Sequence, residues 1–166
     1  VDYNFYWKMI IDKKRFSMNT EERLKNILQR LQKNGYRMTP QRVAILRAFI
    51  SAKDHPTVEQ IYRRVCRDFP MTSLATVYKT VALLKEMGEV IEISGDLQGS
   101  RYDAFHPEPH PHLICTQCGQ IYDGENVDVQ PVVAALQAQS AFQVSTYRLD
   151  LYGICARCQS HSNTLQ

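Results

Sequence analysis

Two Cys-x-x-Cys pairs, Cys115-Thr-Gln-Cys118 and Cys155-Ala-Arg-Cys158, constrain this chain more than any other feature. A tetrahedral zinc site needs four soft donors, and each pair supplies two thiolates from one tight turn. The 36 residues between the pairs, 119 to 154, exceed the span of a compact zinc ribbon, so such a site pins two distant elements together. Just upstream runs His106-Pro-Glu-Pro-His110-Pro-His112, a stretch of harder nitrogen and oxygen donors. Thiolates in one place and imidazoles with carboxylates in another imply two metals, one structural and one exchangeable.

At 166 residues the chain can bury a core of its own as one large domain or two small ones. Its four paired cysteines therefore read as metal ligands in a reducing cytosol rather than as a disulfide framework, and Cys66, set in an apolar helical pattern, reads as inert packing. No stretch approaches the length of a membrane span, so no membrane partner is expected. In residues 1–17 the apolar run Met9-Ile10-Ile11 is too short for a signal peptide; Met18 is a plausible alternative start, and this extension is assigned no role. Charge is uneven. Residues 18–100 hold 13 Lys and Arg against 9 Asp and Glu, whereas residues 101–166 hold 3 against 6. A basic first half and an acidic second half suit a nucleic-acid reader joined to a metal-binding or pairing module.

The periodicity divides accordingly. Leu24, Ile27, Leu28 and Leu31 repeat at helical spacing over Thr20 to Lys33, and Asn34-Gly35 ends that helix. Thr39-Pro40 opens a second with Val43, Ile45, Leu46 and Phe49 inside. Val58, Ile61, Tyr62 and Val65 mark a third, and Ser73 caps a fourth over Leu74 to Met87, stopped by Gly88. The period then changes: Glu89 to Ile93 and Ser100 to Phe105 read as strands about a Gly95–Gly99 loop. The proline-rich stretch 107–111 excludes a regular element. Short strands near His112–Ile114 and Gln120–Asp123, a helix from Val129 to Gln139 and a strand from Val144 to Tyr152 complete the pattern. The expected fold is α+β: a winged helix-turn-helix domain over residues 18–105, a linker over 106–111 and a small α/β dimerisation and metal-binding domain over 112–160.

Three short helices also describe a helical core that never touches DNA. The start of the fourth helix favours DNA, because a groove-reading helix must be polar or small on one face and apolar on the other. Ser73, Thr76, Lys79 and Thr80 offer donors to phosphates or base edges, and Tyr78 offers a ring to thymine methyls. Lys33, Arg37 and Arg42 are further candidates for phosphate contact.

With both halves in view, the chain resembles the ferric uptake regulator family of metal-responsive repressors. The resemblance is carried by Gly35-Tyr-Arg-Met-Thr-Pro-Gln-Arg42, His55-Pro-Thr57, Ala75-Thr-Val-Tyr78, Ser100-Arg-Tyr-Asp103, His110-Pro-His112-Leu-Ile-Cys-Thr-Gln-Cys-Gly119 and Leu151-Tyr-Gly-Ile-Cys155, in that order. It implies a homodimer that reads a palindromic double-stranded DNA operator. It also implies structural Zn²⁺ on Cys115, Cys118, Cys155 and Cys158, and a regulatory Fe²⁺ or Mn²⁺ on His55, Asp103, His110, His112 and Asp123. Three imidazoles and two carboxylates suit those harder ions. Unaided, His55 before Pro56 reads as a cap or surface residue and the two aspartates as surface acids; their promotion to ligands rests on the resemblance.

Within the family, Asp at both carboxylate positions resembles the peroxide-sensing branch rather than the iron-sensing one, which carries Glu there. In the peroxide branch bound Fe²⁺ reacts with hydrogen peroxide and a ligand histidine is oxidised, here His55 or His110 by position. The Asp103-to-His110 interval is one residue longer than in peroxide sensors and matches iron sensors, so an iron-responsive repressor is the second reading and a zinc-responsive one the third. Pro109, Pro111 and Ile154 stand where iron sensors carry ligands for a further site, which is therefore not expected. An enzyme reading also deserves weighing, since His106-Pro-Glu108 before Cys115-x-x-Cys118 has elements of zinc deaminases. There the two elements lie on separate helices and the metal keeps an open position, whereas here they are a few residues apart and a second cysteine pair closes the shell. A metal-storage role would leave the pattern at residues 73–80 without a purpose.

Overall fold

The computed structural model of the chain describes residues 19–93, 99–124 and 127–163. It divides into two compact units between Pro107 and Glu108. The expected extension at 1–17 lies outside the described residues, as does most of the 95–99 loop.

The first unit contains α1 (Thr20–Lys33), α2 (Pro40–Ile50), α3 (Val58–Val65) and α4 (Leu74–Glu86), then the hairpin of β1 (Ile91–Ile93) and β2 (Arg101–Asp103). Each helix starts where a side chain replaces a missing backbone partner. The side chains of Asn19, Thr39, Thr57 and Ser73 accept from the N–H groups of Glu22, Arg42, Gln60 and Thr76, and Gln60 answers Thr57 reciprocally to close a capping box. Helix α4 ends at Gly88 with φ +63°, a conformation that costs other residues strain. Gly88 N–H bonds to Lys85 O (3.0 Å) and Glu89 N–H to Leu84 O (2.8 Å), a paired closure that uses up the last carbonyls. Leu24, Ile27, Leu31, Ile45, Leu46, Phe49, Ile61, Val77 and Leu84 meet in one core, with Tyr102 of β2 packed edge-on against Phe49.

β1 and β2 pair antiparallel from Ile91↔Asp103 to Ile93↔Arg101; β1 starts two residues later than expected, and β2 is shorter than expected at both ends. The residues before β1 serve another purpose. Glu89 closes the α4 cap with its backbone and sits buried between Arg23 and Arg30 with its side chain.

The second unit contains β3 (Pro111–Cys115), β4 (Ile121–Asp123), α5 (Gln130–Ser140), β5 (Leu149–Gly153) and α6 (Ala156–Asn163). β3 lies in the middle, antiparallel to β4 and parallel to β5. Two expectations need correcting. Pro111, assigned to the linker, is the first residue of β3, a position where a missing N–H costs little; its carbonyl accepts from Gly124 N–H at 2.7 Å. The strand expected over Val144–Tyr152 begins only at Leu149. Its partner β3 starts at Pro111, and the backbone ahead of that point, with Pro107 and Pro109, lacks donors to extend a ladder. Instead the Tyr147 hydroxyl donates to Pro109 O (2.8 Å). Helix α6 has no apolar periodicity and was not expected.

Residue alternation makes this sheet two-faced. His112 is registered between Asp123 on β4 and Asp150 on β5, and its neighbour Leu113 between Tyr122 and Leu151. One face carries ionisable side chains. The other carries Leu113, Tyr122 and Leu151, each about half exposed.

Candidate metal centres and a DNA-facing helix

The four paired cysteines come together as the spacing requires. Their Sγ atoms lie within 4.8 Å of one another. Cys115 Sγ is 3.8 Å from that of Cys158, and Cys118 Sγ is 3.8 Å from that of Cys155. A tetrahedron of thiolates about 2.3 Å from a zinc ion has edges of about 3.8 Å, whereas a disulfide brings sulfurs to about 2.0 Å. The four sulfurs therefore fit a zinc ion. Gly119, at φ +69°, lets the first knuckle turn back so that its N–H reaches Cys115 O (2.9 Å). The second knuckle leans on the first: Cys155 N–H donates to Cys115 Sγ (3.4 Å), and this bond, followed by one from the Cys118 backbone, brings the Cys115 thiol down to about 6. Burial, followed by hydrogen bonding among the thiols, pushes Cys158 up to about 12. The divergence belongs to the set, because four sulfurs this close cannot all ionise without a cation.

The residues expected at the regulatory site are divided between the units, two in the first and three in the second. In the first, His55 Nε2 lies 3.9 Å from Asp103 Oδ2, and both side chains are buried. Two devices hold this pair. Asp103 Oδ1 accepts from the N–H groups of Phe105 (2.8 Å) and His106 (2.9 Å), which turns Oδ2 toward His55. His55 has φ +47°, a strained conformation for a residue with a side chain. The buried Arg101 guanidinium fixes it by donating to the carbonyls of His55 and Asp54 (2.7 Å for the latter).

In the second unit, His110 and His112 lie one strand period apart with ring centroids 4.4 Å from each other. His110 Nδ1 meets Glu108 O at 2.8 Å, and a carbonyl can only accept, so Nδ1 carries the ring proton. Its Nε2 then faces Asp123 Oδ1 at 3.3 Å. Two acceptors at that distance require a shared proton or a shared cation. The donors in both units are nitrogen and oxygen only, the chemistry that suits Fe²⁺ or Mn²⁺ and leaves the thiolates to zinc.

Helix α4 shows which expected DNA contacts are accessible. Val77, Thr80, Val81 and Leu84 form its buried side, and Ala75, Tyr78, Lys79 and Ala82 form its exposed stripe. Lys79 lies on that stripe. Tyr78 does too, its hydroxyl donating to Glu59 Oε1 (2.7 Å). Ser73 Oγ caps the helix and shares a hydrogen bond with Thr76 Oγ1 (2.8 Å) at the helix start. Thr80 is a correction: it is fully buried and its hydroxyl donates to Thr76 O (2.8 Å), so it has no part in an exposed DNA-binding surface. Lys33 and Arg37 are exposed; Arg42 is half-buried and donates to Arg37 O (2.6 Å), bracing that turn. Ala75 was missed as part of the stripe, and Asp150, paired with His112, was missed in the second unit. The first was hidden by its small side chain, the second because nothing in the sequence sets β5 beside β3.

The second unit also exposes much apolar surface. Among the described residues, nine of the thirteen exposed large hydrophobics lie in it, including Leu113, Tyr122, Leu136, Leu151, Tyr152 and Ile154, and α5 has no buried residue. Of these, Leu113, Tyr122 and Leu151 stand side by side on one face of the sheet.

Comparison with known proteins agrees with this architecture. The sequence is 38% identical over 139 residues to the peroxide-responsive repressor PerR of Staphylococcus aureus, covering 84% of this chain and 93% of that protein. The fold is similar to the Campylobacter jejuni peroxide stress regulator, with a TM-score of 0.62 at 31% identity over 79% of this chain and 98% of that one. The Helicobacter pylori ferric uptake regulator Fur shares the fold at a TM-score of 0.74 and 23% identity, covering 86% of this chain and 97% of that one. Residues 33–152 match the Ferric uptake regulator family, and with that match spanning most of its length the chain belongs to this family of metal-responsive regulators.

Proposed function

We propose that the chain is a homodimeric repressor whose hold on a palindromic DNA operator depends on Fe²⁺ or Mn²⁺, and which releases that operator when hydrogen peroxide oxidises a histidine of the metal site. In this reading Cys115, Cys118, Cys155 and Cys158 hold structural Zn²⁺. His55 and Asp103 from the first unit and His110, His112 and Asp123 from the second hold one regulatory ion. A ligand set drawn from both units makes their mutual arrangement depend on the ion, and so couples metal to the spacing of the two α4 helices on DNA. Lys33, Arg37, Arg42, Ser73, Thr76, Tyr78 and Lys79 are the proposed contacts. The apolar face around Leu113, Tyr122 and Leu151 is the proposed dimer surface.

The observation that carries the peroxide reading is the pair of short carboxylates, Asp103 and Asp123, each beside an imidazole. Its support is the 38% identity to a protein named for peroxide response. Fe²⁺, when bound, would activate peroxide beside the imidazoles of His55 and His110. Peroxide is the two-electron oxidant: one of its oxygen atoms would replace a ring C–H hydrogen of His55 or His110 as C–OH, and the other would leave as water. An iron-responsive repressor is the second reading, favoured by the longer Asp103-to-His110 interval.

Mass spectrometry after modest peroxide tests this on protein loaded with Fe²⁺ or with Mn²⁺, with operator binding followed in parallel. Trypsin releases residues 54–63 with His55 alone and residues 102–148 with His106, His110 and His112, which fragmentation must then separate. One added oxygen at His55 or His110 with iron only, together with loss of DNA binding, is the expected outcome. Unmodified histidines with persistent iron-dependent binding would replace it with the iron-responsive reading.

A further inference from the structure

Asp150 is the residue in the second unit that neither the sequence pattern nor the ligand set accounts for. It stands opposite His112 in the parallel β3–β5 ladder, so both side chains leave the same face of the sheet. Its Oδ1 lies 3.3 Å from His112 Nδ1, and both side chains are largely buried, at 9% and 2% exposed. The other oxygen, Oδ2, is gripped by the guanidinium of Arg148, the residue just ahead of β5, Arg148 being 41% exposed.

We infer that Asp150 is a positioning residue that fixes the tautomer and ring orientation of His112, with Arg148 holding Asp150 in turn. The argument rests on donor arithmetic. A carboxylate whose Oδ2 is occupied by an arginine offers His112 an acceptor, so the neutral ring places its proton on Nδ1. Nε2 is then the lone pair available to a cation, matching His110, where Glu108 O plays the same part. Both oxygens of Asp150 are committed, so it acts outside the ligand set rather than as a sixth ligand. A carboxylate behind a metal-binding imidazole also raises the basicity of the ring, and removing one typically weakens metal affinity 10- to 100-fold. The inference rests on the proposed role of His112 as a ligand.

The test uses the full chain with its thiolate site zinc-loaded and no second metal, uniformly ¹⁵N-labelled at histidine. Long-range ¹H–¹⁵N spectra at neutral pH should show His112 protonated at Nδ1. In Asp150→Leu the ring should shift toward the Nε2–H form that imidazole prefers in water, and Mn²⁺ affinity should fall about 10- to 100-fold with zinc content and helix content unchanged. Asp150→Asn, which keeps an acceptor, should retain the Nδ1 proton and lose less affinity. Arg148→Ala breaks only an exposed ion pair and should cost at most about fivefold. A wild-type His112 protonated at Nε2, or wild-type Mn²⁺ affinity in Asp150→Leu, overturns the inference. The wild-type spectrum decides the tautomer even if Asp150→Leu fails to fold. His112→Ala separates the two levels: unchanged Mn²⁺ affinity there removes the ligand reading and the inference with it. Loss of binding there beside wild-type affinity in Asp150→Leu removes the inference alone.

Discussion

Replacing Glu89 by glutamine tests whether the first unit is held at its most demanding point. Glu89 is 1% exposed and faces Arg23 at 3.2 Å and Arg30 on its other oxygen. Glutamine keeps the shape and one acceptor but removes the charge. Arg30, 37% exposed, can turn its guanidinium to water. Arg23 cannot. At 6% exposed it is fixed by the carbonyls of Ala104, Phe105 (3.0 Å) and Glu89 (3.2 Å). Breaking a buried ion pair from one side costs about 3–5 kcal/mol, because the remaining charge stays buried without compensation. Those three carbonyls continue to satisfy Arg23, which places the expected loss near the lower end, about 3 kcal/mol.

For a unit of this size that loss corresponds to a fall in Tm of more than about 10 °C. Urea unfolding of the zinc-loaded protein, followed by the far-ultraviolet signal of the four helices, measures it. Arg30→Ala serves as the control and should cost no more than about 1 kcal/mol. Two of the carbonyls that Arg23 holds, those of Ala104 and Phe105, follow directly on Asp103, so amide exchange at residues 103–106 should also quicken in Glu89→Gln. A loss below about 1 kcal/mol would show that the charge of Glu89 does not anchor Arg23, and the argument would fail.

Cys118→Ser should abolish zinc binding and, with it, the dimer seen in sedimentation; a stable zinc-free dimer would refute the structural role of the thiolates. Tyr78→Ala should weaken binding to an operator selected from random duplexes by about tenfold, leaving metal content unchanged. Thr80→Val should leave operator binding as it is, since that hydroxyl serves only the helix interior, and a large loss would return Thr80 to the interface. The Lys85–Glu92 pair ties α4 to the wing and gives a pH signature. The Lys85 ammonium, followed by the Ser100 hydroxyl, holds Glu92 below its ordinary 4.5, and Glu92 raises Lys85 above its ordinary 10.5. A depressed carboxylate stabilises the fold above its unfolded value and ceases to as pH falls through the folded one. The coupling between Lys85→Ala and Glu92→Ala should therefore be full at pH 7, at most about 1 kcal/mol for so exposed a pair, and vanish well below pH 4.5. A coupling unchanged in acid would assign it to packing.

Much of this was legible in the residues. Capping side chains set the starts of the four helices, because those signals are local: Thr39 before Pro40 starts a helix wherever it occurs. The thiolate site was equally legible, since two tight knuckles leave few ways to arrange four sulfurs. Long-range register was not. The pairing of His112 with Asp150 depends on β5 lying parallel to β3 in one register, and a shift of one residue would have put Leu149 or Leu151 in that place. Thr80 failed for a related reason: between Lys79 and Val81 it fits either side of the helix, and the core decided. The shortened β5 reflects the prolines ahead of its partner strand rather than any residue of its own.

The second unit explains why metal, pairing and regulation belong together in this chain. Its described residues bury few apolar side chains, Cys115 and Ile121 among them, and α5 contributes none. A unit so small and so open cannot offset its chain entropy through a hydrophobic core. Two devices remain: a metal that joins β3 to the segment after β5 through Cys115, Cys118, Cys155 and Cys158, and, in the proposed dimer, a partner that would cover Leu113, Tyr122 and Leu151. Both act on the same three strands whose opposite face carries His112 between Asp123 and Asp150. In the proposed function, zinc and a second subunit would hold the register on which the ionisable face depends. A regulatory ion on that face would then bind a sheet already made rigid, which would leave its binding energy to act on the DNA-reading unit rather than to fold the sheet.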